Sequence, residues 1–342
     1  MQALQIAGEG NLQVIEMEQP STLKAGEVLL KVEYVGFCGS DLNTFRGRNA
    51  LAKQPVIPGH EVSATIAAVG SDVPANLTVG LAVTVDPYTG CGKCAACRRE
   101  RSNACEHNET LGVQRDGAMR DYIVMPWQKI IAAEGLQQRD IALVEPMSVG
   151  FHAVNRAEII DTDVVMVIGC GMIGMGAIVR AAMRGATVVA VDVDDEKLQI
   201  AKQVGATYTV NSMKENLHER IQQITEGLGV DAVIEAVGNA ITQRQAIDEV
   251  SFTGRVTFIG YAPTETSFLT KLFVQKELDI RGSRNAKPSD FRAVIHFMQT
   301  HPEFPTDQLI SSVVTPAEAP QAMQQWHEAP AKVFRILVRF SN

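Results

Sequence analysis

The chain has 342 residues and a formal net charge of −8, with 46% hydrophobic and 20% charged residues. This length suits about two domains, and the hydrophobic fraction is enough for a sizeable core. The acidic balance argues against a broad nucleic-acid-binding surface, and a mean hydropathy of +0.01 argues against a membrane protein. The first ten residues contain neither a basic region nor a long apolar run, so we expect no signal peptide and a cytoplasmic location.

Short strands separated by turns are predicted for the first 35 residues, and the alternating run Val28–Val35 is the clearest of them. Residues 36–41, Gly-Phe-Cys-Gly-Ser-Asp, predict a turn into a short helix with Ser40 as its N-cap. A cysteine just before a helix N-terminus is disposed to be a thiolate, which draws attention to Cys38. A single cysteine in such a place is nevertheless more often a buried structural residue.

A second candidate ligand pair, His60-Glu61, lies in a Gly-Pro-flanked turn before an apolar strand. One histidine in a turn is usually structural. The sulfur of Cys38 and the imidazole of His60 together form a ligand set that suits zinc.

Four cysteines occur within fifteen residues, at positions 91, 94, 97 and 105. Four thiolates at these spacings can surround one tetrahedral Zn²⁺ with no open position, which is typical of a structural site. An iron–sulfur cluster is the second reading, although the seven-residue gap and the lack of a proline after Cys105 count against it. Disulfides are the third, because the expected compartment is reducing.

The pair Glu145-Pro146 precedes a predicted helix at Met147–Ala157, with Pro146 at its first position and Glu145 held extended. This places Glu145 at the entrance to the next domain. His152 lies on the same helix, where it is expected to be a packed residue and not a ligand.

The stretch from Asp163 to Asp192 predicts a dinucleotide-binding unit. An apolar strand, Val164–Ile168, is followed by a GxGxxG run at residues 169–174, a helix, and a second strand that ends on Asp192. One alternative is a doubly wound sheet that binds nothing. A membrane span over residues 164–179 is the other alternative, but that run is shorter than the roughly 20 residues a span needs.

Each glycine of the run has a separate expected role. Gly169 allows the tight turn, Gly171 lets the backbone approach a pyrophosphate, and Gly174 lets the helix pack closely on the strand. The pyrophosphate would lie at the helix N-terminus, where free N–H groups and the helix dipole favour an anion.

After Asp192 the pattern continues to alternate between strands and helices. We predict strands at Thr207–Val210, Ala232–Val237, Arg255–Ile259, Leu278–Gly282 and Lys332–Phe340, and helices at Asp194–Val204, Met213–Glu226, Ala240–Val250, Pro288–Thr300 and Pro316–Trp326. The last strand is expected to return to the first domain.

Taken in order, these motifs resemble the zinc-dependent medium-chain dehydrogenase family over the whole chain. The motifs are GFCGSD at 36–41, GHE at 59–61, the four cysteines, Glu-Pro at 145–146 and GCGMIG at 169–174. Within the family the chain looks like the sorbitol, threonine and sugar-acid dehydrogenase branch, in which a glutamate matching Glu145 replaces a second catalytic cysteine of liver-type alcohol dehydrogenases. Residues 282–286 further resemble bacterial galactonate-type dehydrogenases and the starvation-sensing-protein relatives.

The resemblance implies an α/β fold with a β-rich, GroES-like catalytic domain and a Rossmann domain with a doubly wound parallel sheet. The expected division is residues 1–150 for the catalytic domain with its zinc lobe, 151–287 for the NAD-binding domain, and 288–342 for a segment that completes the catalytic domain. It also implies two zinc ions per subunit, NAD as coenzyme, and a homodimer or homotetramer without nucleic-acid or membrane partners.

The resemblance assigns roles to individual residues as well. Cys38, His60 and Glu145 would bind the catalytic zinc, Glu61 would be an exchangeable ligand, and Ser40 would begin a proton relay. Structural zinc would be held by Cys91, Cys94, Cys97 and Cys105. Besides the three glycines, the positions that match coenzyme contacts are Met172, Ile173, Asp192, Lys197, Ile259, Gly260, Tyr261, Ser283 and Arg284.

The expected activity is NAD-dependent oxidation of a secondary alcohol of a polyol or hexonate (galactonate or gulonate type) to a ketone, acting on CH–OH donors. Arg46, Arg48 and Arg284 are candidates to grip a substrate carboxylate. Asn43 stands where relatives carry a relay histidine, so the later part of the relay is open. The alternatives are a sorbitol- or threonine-type dehydrogenase, or a non-catalytic nucleotide-sensing relative.

Overall fold

In the computed structural model, residues 1–262, 264–330 and 333–341 are described. The chain forms two compact units: the first consists of residues 1–145 and 287–342, and the second of residues 146–286. Over the described ranges, no helix combines the length and apolar character that crossing a bilayer requires.

The first stretch of the chain is mostly β-structure, with three short 3₁₀ turns between strands. Its elements are β1 (Gln2–Gly8), β2 (Asn11–Glu16), β3 (Glu27–Gly36), α1 (Gly39–Phe45), β4 (Glu61–Val69), β5 (Ala82–Val85), β6 (Tyr88–Thr89), β7 (Glu109–Thr110), β8 (Tyr122–Pro126), β9 (Ile130–Ala132), α2 (Gln138–Ile141) and α3 (Val144–Arg156).

Strands and helices then alternate through the second unit. Its elements are β10 (Val164–Ile168), α4 (Met172–Met183), β11 (Thr187–Asp192), α5 (Asp195–Gln203), β12 (Tyr208–Asn211), α6 (Leu217–Ile224), β13 (Val230–Glu235), α7 (Ala240–Glu249), β14 (Val250–Phe258), α8 (Lys271–Gln275) and β15 (Asp279–Gly282). The chain closes with α9 (Pro288–Thr300), α10 (Thr306–Leu309), β16 (Ser312–Val314), α11 (Ala319–Glu328) and β17 (Ile336–Arg339).

The first unit is built around a seven-stranded sheet in the order β16-β17-β3-β4-β5-β9, with β8 also paired to β3. Alternate residues of β3, Val28, Leu30 and Val32, are buried in the core, as its sequence pattern predicts. The closing strand β17 pairs antiparallel with β3, so the end of the chain returns to the first unit as expected. The predicted start of this strand, Lys332, lies outside the described residues.

The second unit contains a six-stranded parallel sheet in the order β12-β11-β10-β13-β14-β15. Its central strands are apolar runs that are almost entirely buried, which is the pattern expected for a sheet covered on both faces. The chain winds outward from β10 in both directions, and a ligand is expected at the carboxyl ends of the strands where the winding changes direction.

Several predicted element boundaries are wrong. Cys38, and not Ser40, is the N-cap of α1, because its N–H is bonded by the Asp41 carboxylate at 2.8 Å. Helix α3 begins at Val144, so Glu145 is helical and not extended; a proline is tolerated throughout the first turn, where its missing N–H costs nothing.

Two further helices begin later than predicted, and a strand begins earlier. Helix α6 starts at Leu217 instead of Met213, because the Asn216 side chain accepts the Glu219 N–H as an N-cap. Helix α11 runs from Ala319 to Glu328 and not from Pro316. Strand β14 begins at Val250, where a helix end was predicted.

Candidate metal and coenzyme sites

The first cluster of candidate ligands joins Cys38, His60 and Glu61, whose ligand atoms all lie within 4.8 Å of one another. The antiparallel register of β3 with β4 places Gly36 opposite Glu61. Because Cys38 follows the end of β3 and His60 precedes β4, this pairing brings the three side chains together. The protein backbone of unit 1 therefore builds the cluster from two segments of the chain.

The Cys38–His60–Glu61 cluster is deeply buried and strongly charged. His60 is 5% exposed and Glu61 fully buried. Burial lowers the pKa of His60, but the charge and hydrogen bond of Cys38, with the charges of Asp41 and Glu145, outweigh it and raise that pKa well above its usual value. The groups around His60 therefore favour a positive charge on its imidazole.

A buried arginine approaches the cluster from the end of the chain. Arg335 Nη1 lies 2.9 Å from Glu61 Oε1, and the same guanidinium donates to the carbonyl of Phe37. Asp41 is also fully buried, and desolvation raises its pKa to about 6 although His60 opposes the shift. No site role was predicted for Asp41 from the sequence, and Arg335, for which no local pattern exists, was missed.

Glu145 is buried close to these residues but is not among the three whose ligand atoms group together. Its Oε1 accepts a hydrogen bond from the hydroxyl of Tyr88. Burial raises the pKa of Glu145 to about 7, with His60 opposing and Glu61 adding to the shift. Tyr88 is a second residue that the sequence did not reveal, because it is 57 positions from its partner.

Several buried polar atoms of this region have no hydrogen-bond partner among the described residues, namely His60 Nδ1, Glu61 Oε2 and Ser40 Oγ. Leaving such atoms unpaired is costly, which favours a bound group that satisfies them. One thiol, one imidazole and carboxylates form a donor set that suits Zn²⁺ with room for a further ligand. The residues present therefore fit a catalytic zinc ion.

The second cluster consists of Cys91, Cys94, Cys97 and Cys105, whose sulfur atoms also lie within 4.8 Å of one another. None of the four forms a disulfide, and the sulfur atoms of Cys94 and Cys105 are 3.7 Å apart. Backbone N–H groups of Cys91 and His107 point at Cys105 Sγ, at 3.2 and 3.3 Å. Such donors favour thiolates, so the geometry fits a closed four-sulfur metal site.

The protonation behaviour of this second cluster is uneven. Backbone N–H groups of Cys97 and Glu106 lower the pKa of Cys94 to about 6. Burial and the neighbouring thiols raise the pKa of Cys97 to about 12. Four thiols crowded together cannot all ionise without a cation among them, which again matches a metal site.

The glycine-rich turn of the second unit has the geometry that a pyrophosphate requires. Gly169 has a φ of +95°, and a Cβ at Gly174 would lie 1.7 Å from the Gly169 carbonyl oxygen. Gly171 is the N-cap of α4, and a Cβ added there would have no heavy atom of the described residues within 4 Å, apart from its own chain neighbours and helix backbone. The backbone at the helix N-terminus can thus be approached closely by an anion.

Asp192 lies at the end of β11 and is tied to that turn. Its carboxylate accepts from the backbone N–H of Cys170 at 2.6 Å, of Val193 at 2.7 Å and of Asp194 at 3.1 Å. The cap of α5 is Asp194, which accepts from Glu196 and Lys197. A carboxylate has about four acceptor positions, so Asp192 keeps capacity for a ribose hydroxyl.

The remaining predicted coenzyme residues lie at four places in the second unit. Met172 and Ile173 open α4, and Lys197 is half-buried in the first turn of α5. Ile259, Gly260 and Tyr261 follow β14, with Tyr261 exposed, and the N–H groups of Ile259 and Gly260 both point at the Glu235 carbonyl. Ser283 and Arg284 follow β15; the hydroxyl of Ser283 is buried without a hydrogen-bond partner in the described chain.

Arg46, one of the three predicted substrate contacts, is held by hydrogen bonds within the first unit. The guanidinium of Arg46 donates to His327 Nδ1 at 2.9 Å and to the His327 carbonyl at 2.7 Å, so α1 and α11 hold it in place. Arg48 is exposed, and Arg284 is half-buried. His152 is 4% exposed, in keeping with the packed role expected of it.

Comparison with protein families gives two matches along this chain. Residues 24–135 match the alcohol dehydrogenase GroES-like domain, and residues 173–300 match the zinc-binding dehydrogenase domain. An L-galactonate-5-dehydrogenase of Escherichia coli is 33% identical over 272 residues, which is 80% of each chain. This chain belongs to the zinc-dependent medium-chain alcohol dehydrogenase family.

A second relative of this dehydrogenase is an uncharacterized zinc-type alcohol dehydrogenase-like protein of Haemophilus influenzae, 33% identical over 94% of each chain. Among solved structures, an E. coli oxidoreductase of unknown specificity has a TM-score of 0.94 at 27% identity, covering 100% of this chain and 99% of its own. The predicted fold, a GroES-like domain with a Rossmann-type parallel sheet, is confirmed.

Two structural neighbours differ in the coenzyme they contain. A zinc-binding dehydrogenase of Sinorhizobium meliloti is bound to NADP; it has a TM-score of 0.91 at 28% identity, covering 99% of this chain and 98% of its own. An alcohol dehydrogenase of E. coli is complexed with NADH; it has a TM-score of 0.89 at 28% identity, covering 99% of each chain. Solved structures similar to this chain therefore include one with NADP bound and one with NADH bound.

Proposed function

We propose that this dehydrogenase oxidises a secondary alcohol of a polyol or sugar acid to a ketone, using one catalytic zinc ion and NAD. The observation that carries the proposal is the buried cluster of Cys38, His60 and Glu61 with its unpaired polar atoms. The names of relatives support the substrate class, since they include galactonate and sorbitol dehydrogenases.

Zinc bound at this cluster would act as a Lewis acid that lowers the pKa of the substrate hydroxyl, and the nicotinamide ring would take the hydride. Cys38, His60 and a carboxylate from Glu61 or Glu145 would hold the metal. Ser40 would begin the proton relay, because its Oγ is buried without another partner among the described residues. It would accept the hydroxyl proton of the substrate and pass its own proton on towards solvent. Arg335 would offset part of the negative charge of the two glutamates.

The four-cysteine cluster is proposed as the structural zinc site. Its ligands close the coordination shell, so it would stabilise the fold of its loop without touching substrate. Metal analysis of the purified protein should give two zinc ions per subunit. A fully active protein with one zinc or none would contradict this assignment.

The substrate is best tested with a panel of hexonates and polyols, scored by the absorbance of the reduced nicotinamide. We expect hexonates to be turned over better than sorbitol or xylitol, with Arg48 and Arg284 as the arginines that could bind the carboxylate. Faster turnover of the uncharged polyols would make the protein a sorbitol-type enzyme. We further propose a homodimer or homotetramer, which light scattering would test.

NAD is proposed over NADP because of Asp192 and the acidic residues that follow it. A carboxylate at the end of β11 can accept hydrogen bonds from the ribose hydroxyls, whereas a 2′-phosphate would meet a like charge. Asp192→Ala should lower kcat/KM for NAD by about one to two powers of ten and leave kcat/KM for NADP almost unchanged. A wild-type protein that prefers NADP would contradict the proposal.

Asp194→Ala is the matched control for this substitution. It removes the N-cap of α5 and should cost about 1 kcal/mol of stability, with no change in the ratio of kcat/KM for the two coenzymes. If Asp192→Ala lowers kcat/KM equally for both coenzymes, the Asp192 carboxylate serves only to hold the glycine-rich turn through the Cys170 N–H.

A further inference from the structure

The hydrogen bond between Tyr88 and Glu145 links a residue without an assigned role to a carboxylate beside the Cys38–His60–Glu61 cluster. Tyr88 is 5% exposed and Glu145 is 4% exposed. The tyrosine hydroxyl donates to Glu145 Oε1. A neutral donor buried against a carboxylate both orients it and favours its ionised form.

Tyr88 is itself fixed at three points. Its backbone N–H donates to Asp86 Oδ1 at 3.1 Å, and its carbonyl accepts from Lys129 Nζ. The same ammonium group lies 2.6 Å from Asp86 Oδ2. The ring packs edge-on against Phe291, with ring centroids 6.4 Å apart. The hydroxyl therefore points at Glu145 from a rigid support.

Glu61 belongs to the Cys38–His60–Glu61 cluster, and Glu145 lies near enough for its charge to raise the pKa of His60. The two carboxylates have different outer partners. Glu61 lies against the guanidinium of Arg335, whereas Glu145 receives the hydroxyl of Tyr88. Groups that hold a metal-binding carboxylate usually matter almost as much as the ligand itself, because they fix its orientation and its basicity. The orientation of Glu145 thus depends on a side chain that is not itself a candidate metal ligand.

We propose that Tyr88 is a positioning residue, which holds the Glu145 carboxylate in the orientation that the catalytic metal requires. This inference rests on the proposed function of the Cys38–His60–Glu61 cluster. Tyr88 would act only through Glu145, so its contribution should disappear when Glu145 can no longer act as a carboxylate.

The test is a double-mutant cycle read out as zinc affinity. Zinc dissociation constants would be measured by competition with a chromophoric chelator for the wild type, Tyr88→Phe, Glu145→Gln and the double variant. A Cys38→Ser variant would report the four-cysteine site alone and allow its contribution to be subtracted. Cobalt substitution would add an absorption spectrum that is sensitive to the ligands of each site.

We expect Tyr88→Phe to weaken zinc binding at the Cys38–His60–Glu61 cluster by about 10- to 100-fold. The cobalt spectrum of that site should change, and metal binding at the four-cysteine site should not. In the Glu145→Gln background the same substitution should change the dissociation constant by no more than about twofold. Tyr122→Phe is the matched control. That tyrosine lies on β8 of the same unit, is half-buried, and should leave both metal sites as in the wild type.

Unchanged zinc affinity in Tyr88→Phe would overturn the inference. So would an equal loss of zinc affinity when Tyr88→Phe is made in the wild type and in the Glu145→Gln variant. Loss of metal from the four-cysteine site as well would also overturn it, because that result means a general structural role. A wild type that binds no zinc through Cys38 is a different outcome, which refutes the proposed function.

Discussion

The two cysteine-containing clusters of the first unit differ in how the chain builds them. The four-cysteine cluster comes from one loop of fifteen residues, with backbone N–H groups as its main outer partners. The Cys38–His60–Glu61 cluster draws on distant parts of the chain and is surrounded by charged side chains. A local, uniform ligand set suits a closed structural site, whereas a mixed and buried set suits chemistry.

The largest expected effect separates the two clusters by activity. Cys38→Ser removes a thiolate ligand, and the loss of several kcal/mol of electrophilic stabilisation should lower kcat by roughly 10³-fold or more. The variant should remain folded and keep one zinc ion at the four-cysteine cluster. Steady-state kinetics with circular dichroism and metal analysis would check this, and wild-type activity in Cys38→Ser would remove the distinction between the clusters.

The second prediction separates the clusters by stability. Cys94→Ser opens the closed site, and the loss of a structural metal should cost about 4 kcal/mol or more, or cause aggregation. Denaturant unfolding would measure the cost. Ala95→Ser places a serine at the exposed neighbouring position and should unfold like the wild type. A Cys94→Ser protein with wild-type stability would show that the loop does not depend on metal.

The smallest expected effect tests the charged partner of the Cys38–His60–Glu61 cluster, which the four-cysteine cluster lacks among the contacts described above. Arg335→Met leaves the buried Glu61 carboxylate without its cation, which should destabilise the protein by about 3 kcal/mol. Arg339→Met, an exposed change on the same strand, should be almost neutral. If the two variants unfold at the same denaturant concentration, Arg335 adds nothing to the cluster.

The same contrast explains which parts of the sites could be predicted. The four cysteines are close in sequence, so their spacing alone indicated one cluster. Cys38, His60 and Glu61 could be proposed from the chemistry of two short motifs and from family resemblance. Arg335 reaches the carbonyl of Phe37 across 298 positions, and only the pairing of β17 with β3 brings them together.

Fold prediction succeeded where the hydrophobic periodicity of an element agrees with the residues that mark its ends. Pro288 at the first helical position marked the start of α9, and the apolar runs of the parallel sheet identified its strands. The start of α6 was predicted four residues too early, because the Asn216 side chain decides that boundary. The start of β14 was predicted five residues too late. Glu145 was misplaced because Pro146 was given the first helical position and not the third.

The pairing of β17 with β3 has a consequence for synthesis of the chain on the ribosome. Unit 2 is continuous, so it can fold as soon as residue 286 has emerged, while unit 1 still lacks β17 and Arg335. Domains generally fold as units while the chain grows. The buried Glu61 carboxylate acquires its cationic partner only after Arg335 and β17 have been translated. A chain released before β17 is made would therefore contain a complete second unit and an incomplete first unit.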